Sequence, residues 1–198
     1  MTHRIREAMK DHGMAGLMSG VVMADETYIG GREKNKHAKD RDPSNSGGKG
    51  KVSVLTLIDK RGRTARSKVI PDVTGATLAK AIADQVERTR SLLHTDTWSG
   101  DLPVGRSFVA RESVNHTEGE YVRGDITTNH VEDFFSQLKR SLDGTHHHVS
   151  VEHLSRYLSE FEYRYSTRDL NDTERMGNLL DRVGGRRLTY KRIVTTAA

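Results

Sequence analysis

Three acids stand where this chain can do chemistry: Asp25, Asp96 and Glu132. Asp25 interrupts the apolar run Val21-Val22-Met23-Ala24, which otherwise reads as a strand. A charge there is costly unless it is open, paired or metal-bound. Asp96 closes the short strand-like run 92–95, and Glu132 lies on the first turns of a helical segment, off its apolar stripe. The separations are 71 and 36 residues. With the two runs as neighbouring strands and the helix packed beside them, the three carboxylates converge. Such a set suits hard cations, Mg²⁺ or Mn²⁺, which prefer oxygen ligands. Two such ions roughly 3.5–4 Å apart activate an attacking oxygen and stabilise a leaving one. Taken singly, Asp25 reads equally as a turn acid, Asp96 as a helix cap and Glu132 as a solvated helix residue. Lys139, seven residues after Glu132, shares its helical face and can meet a phosphate as a point charge. From spacing alone it is equally an exposed helix lysine.

The elements that must position these acids follow from the pattern. Residues 1–18 read as a short helix or a truncated end. Residues 20–31, 51–59 and 64–70 read as three strands, an antiparallel meander with a turn at 60–62. Residues 32–50 form a loop rich in Gly, Ser, Asn and Lys, long enough to close over a ligand. Thr74 is an expected N-cap, and Leu78, Ile82 and Val86 have helical spacing within a helix expected over 75–93. A short strand at 92–95 then ends at Asp96, and a right-handed crossover would set it parallel to the first. Residues 101–124 are irregular, with a strand possible at 106–110. Val131, Phe134, Phe135, Leu138 and Leu142 form one stripe of a helix over 128–142. Helices over 151–167 and 172–183 follow, the last ended by Gly184-Gly185. This order is that of an α/β, ribonuclease H-like fold: a mixed sheet flanked by helices, with a helical C-terminal part. The expected divisions are an N-terminal remnant (1–19), a catalytic domain (20–168) and a C-terminal helix with a basic tail (169–198).

Composition narrows the partners. The 198 residues suffice for one or two domains with a real core; 34% are hydrophobic and 30% charged. No apolar run is long enough to span a bilayer and no signal-peptide pattern opens the chain, so no membrane partner is expected. The absence of cysteine excludes disulfides and Cys-ligated zinc within these residues and fits a cytoplasmic location. The net charge of +5 is uneven: residues 32–68 hold twelve Lys or Arg against four Asp or Glu. A second cluster is Arg182, Arg186, Arg187, Lys191 and Arg192. Basic patches suit a polyanion through counterion release, although a solvated surface explains charge of this size equally well.

The stretches ADETYIGG (24–31), KNKH (34–37), HTDTWSG (94–100), VNHTEGEYVRGDITTNHVEDFFSQLKRSL (114–142), GTHHHVSVEHLSRYLSEFEYRYSTR (144–168) and GGRRLTY (184–190) occur in that order. In them the chain resembles the DDE-type transposases of bacterial insertion sequences, the ISXO-type group. The resemblance implies that Asp25, Asp96 and Glu132 are the catalytic, metal-holding acids and that Lys139 is the lysine following the last. Asn129, one turn before Glu132, is the rival for the third position, because some members are described with Asn there. The implied cofactor is Mg²⁺ or Mn²⁺, two ions. The implied partner is double-stranded DNA, both transposon ends and target, handled by a homo-oligomer at the bacterial nucleoid. The implied reaction is strand nicking by water, then attack of the freed 3′-hydroxyl on target DNA. Arg32, Lys34, Lys36, His37, Lys49, Lys51, Arg140, Arg186 and Arg187 are the expected DNA contacts.

Full-length relatives of this kind carry an N-terminal zinc-ribbon and helix-turn-helix region. This chain has no cysteine, so a truncated copy, a mis-started reading frame or a domain that relies on other DNA contacts is expected. Asp101 stands where an aromatic residue is usual, Arg111 and Thr127 where His is usual, and Ser166 where Asn is usual. The competing functions are an inactive DNA-binding remnant and a ribonuclease H-like nuclease. His146-His147-His148 points to loop packing or phosphate contact rather than zinc, since consecutive residues do not face one centre. His37 and His116 are surface histidines or DNA contacts, Trp98 a base-stacking, core or rim residue, and Tyr28 a core or strand-face residue.

Overall fold

The computed structural model describes residues 2–11, 16–31, 37–42, 48–60, 64–96, 108, 110–114, 122–123, 126–147 and 149–184; at 40, 96, 110–114, 122–123 and 126–127 only the backbone is described. Helix α1 (Thr2–Met9) precedes strand β1 (Met18–Ile29). Strands β2 (Val52–Asp59) and β3 (Ala65–Ile70) complete an antiparallel meander. Helix α2 (Gly75–Ala83) then crosses to β4 (Val86–Asp96), which lies parallel to β1. Strand β5 (Ala110–Val114) adds in parallel, so the five-stranded sheet has the order β3-β2-β1-β4-β5. Two short strands, β6 (Val122–Arg123) and β7 (Ile126–Thr127), pair separately. Helices α3 (Asn129–Ser141), α4 (Val151–Ser166) and α5 (Asp172–Val183) follow. This is the ribonuclease H-like arrangement, a mixed sheet with helices on both faces.

Strand alternation divides the core into two. Val22, Ala24, Leu55, Leu57 and Leu93 face α2, where Leu78, Ala81 and Ile82 cover them. Met23, Val54 and Ile58 face α3 and α4, meeting Val131, Phe134, Phe135, Leu138, Leu154 and Leu158. Central β1 and β2 are therefore apolar on both sides, while α3 needs only one stripe.

Several boundaries differ from the sequence reading. The helix expected over 75–93 ends at Ala83, and the strand expected at 92–95 begins at Val86. Thr74 caps α2 as expected, its hydroxyl taking the Thr77 amide at 3.4 Å. Val86 keeps helical spacing with Ile82, but it enters the sheet because β1 is there to pair with it: Met18 lies opposite Val86, and the Met18 amide reaches the Gln85 carbonyl at 2.8 Å. The strand placed at 106–110 occurs as β5 at Ala110–Val114. Helix α3 runs on into a π-turn, Leu142–His146, which closes at His147 with φ of +55°. Beyond Lys60, the turn expected at 60–62 lies outside the described residues, as does most of 97–121.

Candidate active site

The register of β1 against β4 carries the site. Met23 pairs with His94 and Ala24 with Thr95, so the next step of the parallel ladder sets Asp25 beside Asp96 at the end of β4. On the other side Asp25 lies opposite Thr56 of β2. Met23 faces α3 and α4, and Asp25, two residues on, shares that face. The half-buried Asp25 carboxylate takes the Glu26 amide on Oδ1 at 2.8 Å. The side chain of Asp96 lies outside the described residues, as do Trp98 and His116.

Helix α3 lies over the same face because its apolar stripe is buried against the sheet. That orientation leaves Glu132 half-buried and Asn129 and Lys139 exposed. Glu132 has a local partner: the hydroxyl of fully buried Thr128, the residue before the helix, donates to its Oε1 at 3.3 Å. Lys139 stands within electrostatic reach of Asp25 and Asp143, which favour its charge, and of Lys51, which opposes it. Desolvation is the largest influence and holds its ammonium below the usual lysine value. Two of the proposed residues, Asp25 and Lys139, are thus brought together across β1 and α3.

Of the expected DNA contacts, Lys49, Lys51, His37 and Arg140 are exposed. Lys51 immediately precedes β2 and lies next to Gly30, where a Cβ would meet the lysine Cγ at 3.0 Å, so the missing side chain leaves it room. Gly48 is more restricted, because a Cβ there would overlap the Tyr28 ring. Tyr28 is the strand-face residue expected, and it anchors the turn bearing Lys49 to β1. Arg32, Lys34, Lys36, Arg186 and Arg187 lie outside the described residues. Thr128 and the Tyr28–Gly48 contact were not anticipated; a hydroxyl four residues before a helical glutamate is the signal for the first. His146 packs edge-on against Tyr157 of α4, ring centroids 4.8 Å apart.

Among the described side chains, no three His, Asp or Glu residues form a group that could hold a metal ion. The donors proposed for such an ion are carboxylates, and a half-buried Asp25 next to Asp96 in register fits a hard cation rather than a soft one. No helix among the described residues is long and apolar enough to cross a membrane.

The ISXO2-like transposase domain family matches residues 17–166. An uncharacterised protein in the transposable element ISH50 of Halobacterium salinarum is 32% identical over 158 residues, covering 74% of this chain. The chain spans about half of that relative, 52% of its length. Among solved structures, the catalytic core domain of BIV integrase is similar at a TM-score of 0.44 and 14% identity, over 83% of this chain and 95% of that one. The chain belongs to the ISXO2-like transposase domain family.

Proposed function

We propose that this domain cuts and joins DNA at insertion-sequence ends by metal-dependent phosphoryl transfer. The observation that carries the reading is the register that sets Asp25 beside Asp96 on parallel neighbours, on the sheet face that α3 covers. In it, Asp25, Asp96 and Glu132 hold two Mg²⁺ or Mn²⁺ ions, and Glu132 rather than Asn129 is the third ligand. Glu132 is half-buried and held by Thr128, whereas Asn129 is exposed at the first helical residue. When bound, the ions supply Lewis-acid activation of the attacking oxygen and charge neutralisation at the leaving one.

The chain's own groups do the positioning. Lys139 places positive charge beside Asp25, with Lys51 in electrostatic reach of Lys139, where a backbone phosphate can sit. Thr128 fixes the Glu132 carboxylate before substrate arrives. Exposed Lys49 and Arg140, with the basic segments at 32–36 and 186–187, track the duplex at the nucleoid. The same site serves nicking by water and attack by a 3′-hydroxyl, since both are in-line displacements.

The test is nicking and strand transfer on terminal-repeat DNA with Mg²⁺ or Mn²⁺. Asp25→Asn and Asp96→Asn are each expected to abolish both steps while leaving DNA binding intact. Full activity in either variant would sink the proposal.

A further inference from the structure

Helix α1 is held to α4 by charge rather than by apolar packing. Its buried residues are Arg6 and Ala8, and its one large aliphatic residue besides Met9, Ile5, is exposed. Eight residues are too few for a helix to persist alone in water, so α1 keeps its shape only where the fold holds it. Arg6 donates from Nε to Glu160 at 2.7 Å and lies over the Tyr157 ring, 3.8 Å from its centroid. Arg156 of α4 faces Glu7 at 3.5 Å. At the far end of α1, Arg182 of α5 donates to the Met9 carbonyl at 3.4 Å.

Two histidines meet inside this contact. The rings of His3 and His153 lie 4.5 Å apart, and Arg156 Nη1 is 2.9 Å from His153 Nδ1. A guanidinium only donates, so His153 Nδ1 must accept, and an imidazole that accepts is neutral. His3 Nδ1 is buried and has no hydrogen-bond partner among the described residues. Burial first, then the charges of His153, Arg6, Arg156 and the amino terminus, hold the His3 ring below its ordinary value. The nearby carboxylates are engaged by arginines: Glu160 takes Arg6 and Arg164, both at 2.7 Å, and Glu7 takes Arg156. Exposed Glu152 lies within electrostatic reach of His153 and favours its charge. His146 of the π-turn, packed on Tyr157, is also held low, by burial, Arg6, Arg164 and His147, with Glu160 opposing.

We propose that α1 is an acid-released clasp: it stays on α4 while His3 and His153 are neutral and lets go when they take up protons. A proton on His153 cancels the hydrogen bond from Arg156 and sets two cations against each other. A proton on His3 adds a third cation between Arg6 and Arg156. The undocked helix holds such a proton more readily than the docked one, because its ring is back in water. Docking is therefore complete above about 6.5, the ordinary histidine value, and is lost as pH falls below it. Between pH 7.5 and 5.5, each ring that docking keeps neutral weakens docking by up to about ten-fold. Release withdraws Arg6 from Tyr157, on which His146 of the π-turn packs, so the clasp reaches the end of the helix that carries Lys139. Glu162 of α4 shifts in the opposite sense, so the stability of the whole chain does not report the release, whereas the amides of α1 do. The clasp needs neither DNA nor metal and does not rest on the catalytic reading.

Hydrogen exchange of the full chain at pH 7.5 and 5.5 tests this, each rate corrected for the intrinsic effect of pH. Helix α2, which contains no histidine, is the control. Amides of α1 are expected to be protected at pH 7.5 and to lose at least about five-fold of that protection at pH 5.5, while α2 changes by less than about two-fold. The double variant His3→Gln, His153→Gln is expected to keep α1 protected at both, since glutamine can accept from Arg156 and does not titrate. An α1 unprotected at pH 7.5, equal losses in α1 and α2, or a loss in the double variant matching the parent's overturns the proposal. Should the double variant fail to dock at pH 7.5, the His3 ring of the parent is titrated by NMR. A midpoint below 6.5 then supports the clasp, and one at or above 6.5 overturns it.

Discussion

Helices α3 and α5 carry apolar residues at the same helical spacing, yet α3 turns them into the sheet and α5 turns them outward. Their first turns differ too. At α5, Asn171 takes the Glu174 amide at 2.9 Å while Glu174 takes the Asn171 amide at 3.0 Å, a complete capping box. At α3, Thr128 makes no side-chain cap and gives its hydroxyl to Glu132 instead. Burial fixes α3, which leaves its cap residue for the site. Its cap and its arginine-to-carbonyl hydrogen bonds fix α5, and its apolar stripe stays exposed. Where a helix draws its stability decides which of its residues are available for function.

The sharpest way to break this contrast is Phe134→Ala, which empties the centre of the α3 stripe. Phe134 is 2% exposed and meets Tyr165 edge-on at 5.6 Å. A loss of about 3–5 kcal/mol is expected in urea unfolding, the range for buried Phe→Ala. A loss under about 1 kcal/mol, the level of a weak or collapsible contact, would mean that α3 is not held by burial.

Helix α4 combines both modes, and Glu162 measures the polar one. Its carboxylate accepts the Ser67 amide of edge strand β3. Burial pushes its pKa up from 4.5 to about 7, with Asp11 adding to the rise and Ser67 and Arg66 opposing it. The folded chain therefore holds this proton more tightly than the unfolded one. Stability from the group is complete below about 4.5 and is lost as pH rises through about 7. The shift is worth at most about 3 kcal/mol. Glu162→Gln keeps an acceptor for Ser67 and removes the titration. Stability measured from pH 5 to 8 should fall in the parent and stay flatter in the variant; parallel curves would refute the assignment.

The same contrast explains what the sequence made legible. The spacing of Val131, Phe134, Phe135 and Leu138 gave both the helix and its buried side, because the sheet supplies an apolar partner for any such stripe. Periodicity alone could not separate α2 from β4 near Val86, since the choice there depends on pairing with Met18, 68 residues earlier. Nor could it show which side of α5 faces in. The arginines that hold that helix bond to backbone carbonyls of Thr167, Leu170 and Met9, groups that every sequence position offers. Asp25 was legible because a charge in an apolar strand is conspicuous. Thr128 was not, because its value comes only from where α3 begins.

The caps give the next smaller effect. Asn171→Ala removes the acceptor for the Glu174 amide and should cost about 1 kcal/mol, within the range of about 0.5–2 for such caps. Hydrogen exchange should speed up in the first turn of α5 before the rest of the chain. Thr128→Val should instead leave exchange in the first turn of α3 little changed and lower the rate of strand transfer, since it removes the hydroxyl that donates to Glu132.

The smallest effect separates the two stripes most cleanly. Leu180→Ala deletes the largest apolar side chain exposed on α5. The side chain is mostly in water before and after unfolding. The variant should then match its parent within about 0.5 kcal/mol in urea unfolding, as surface substitutions do. A variant destabilised by more than that would show that Leu180 is covered within its own chain, and the contrast with Phe134 would vanish.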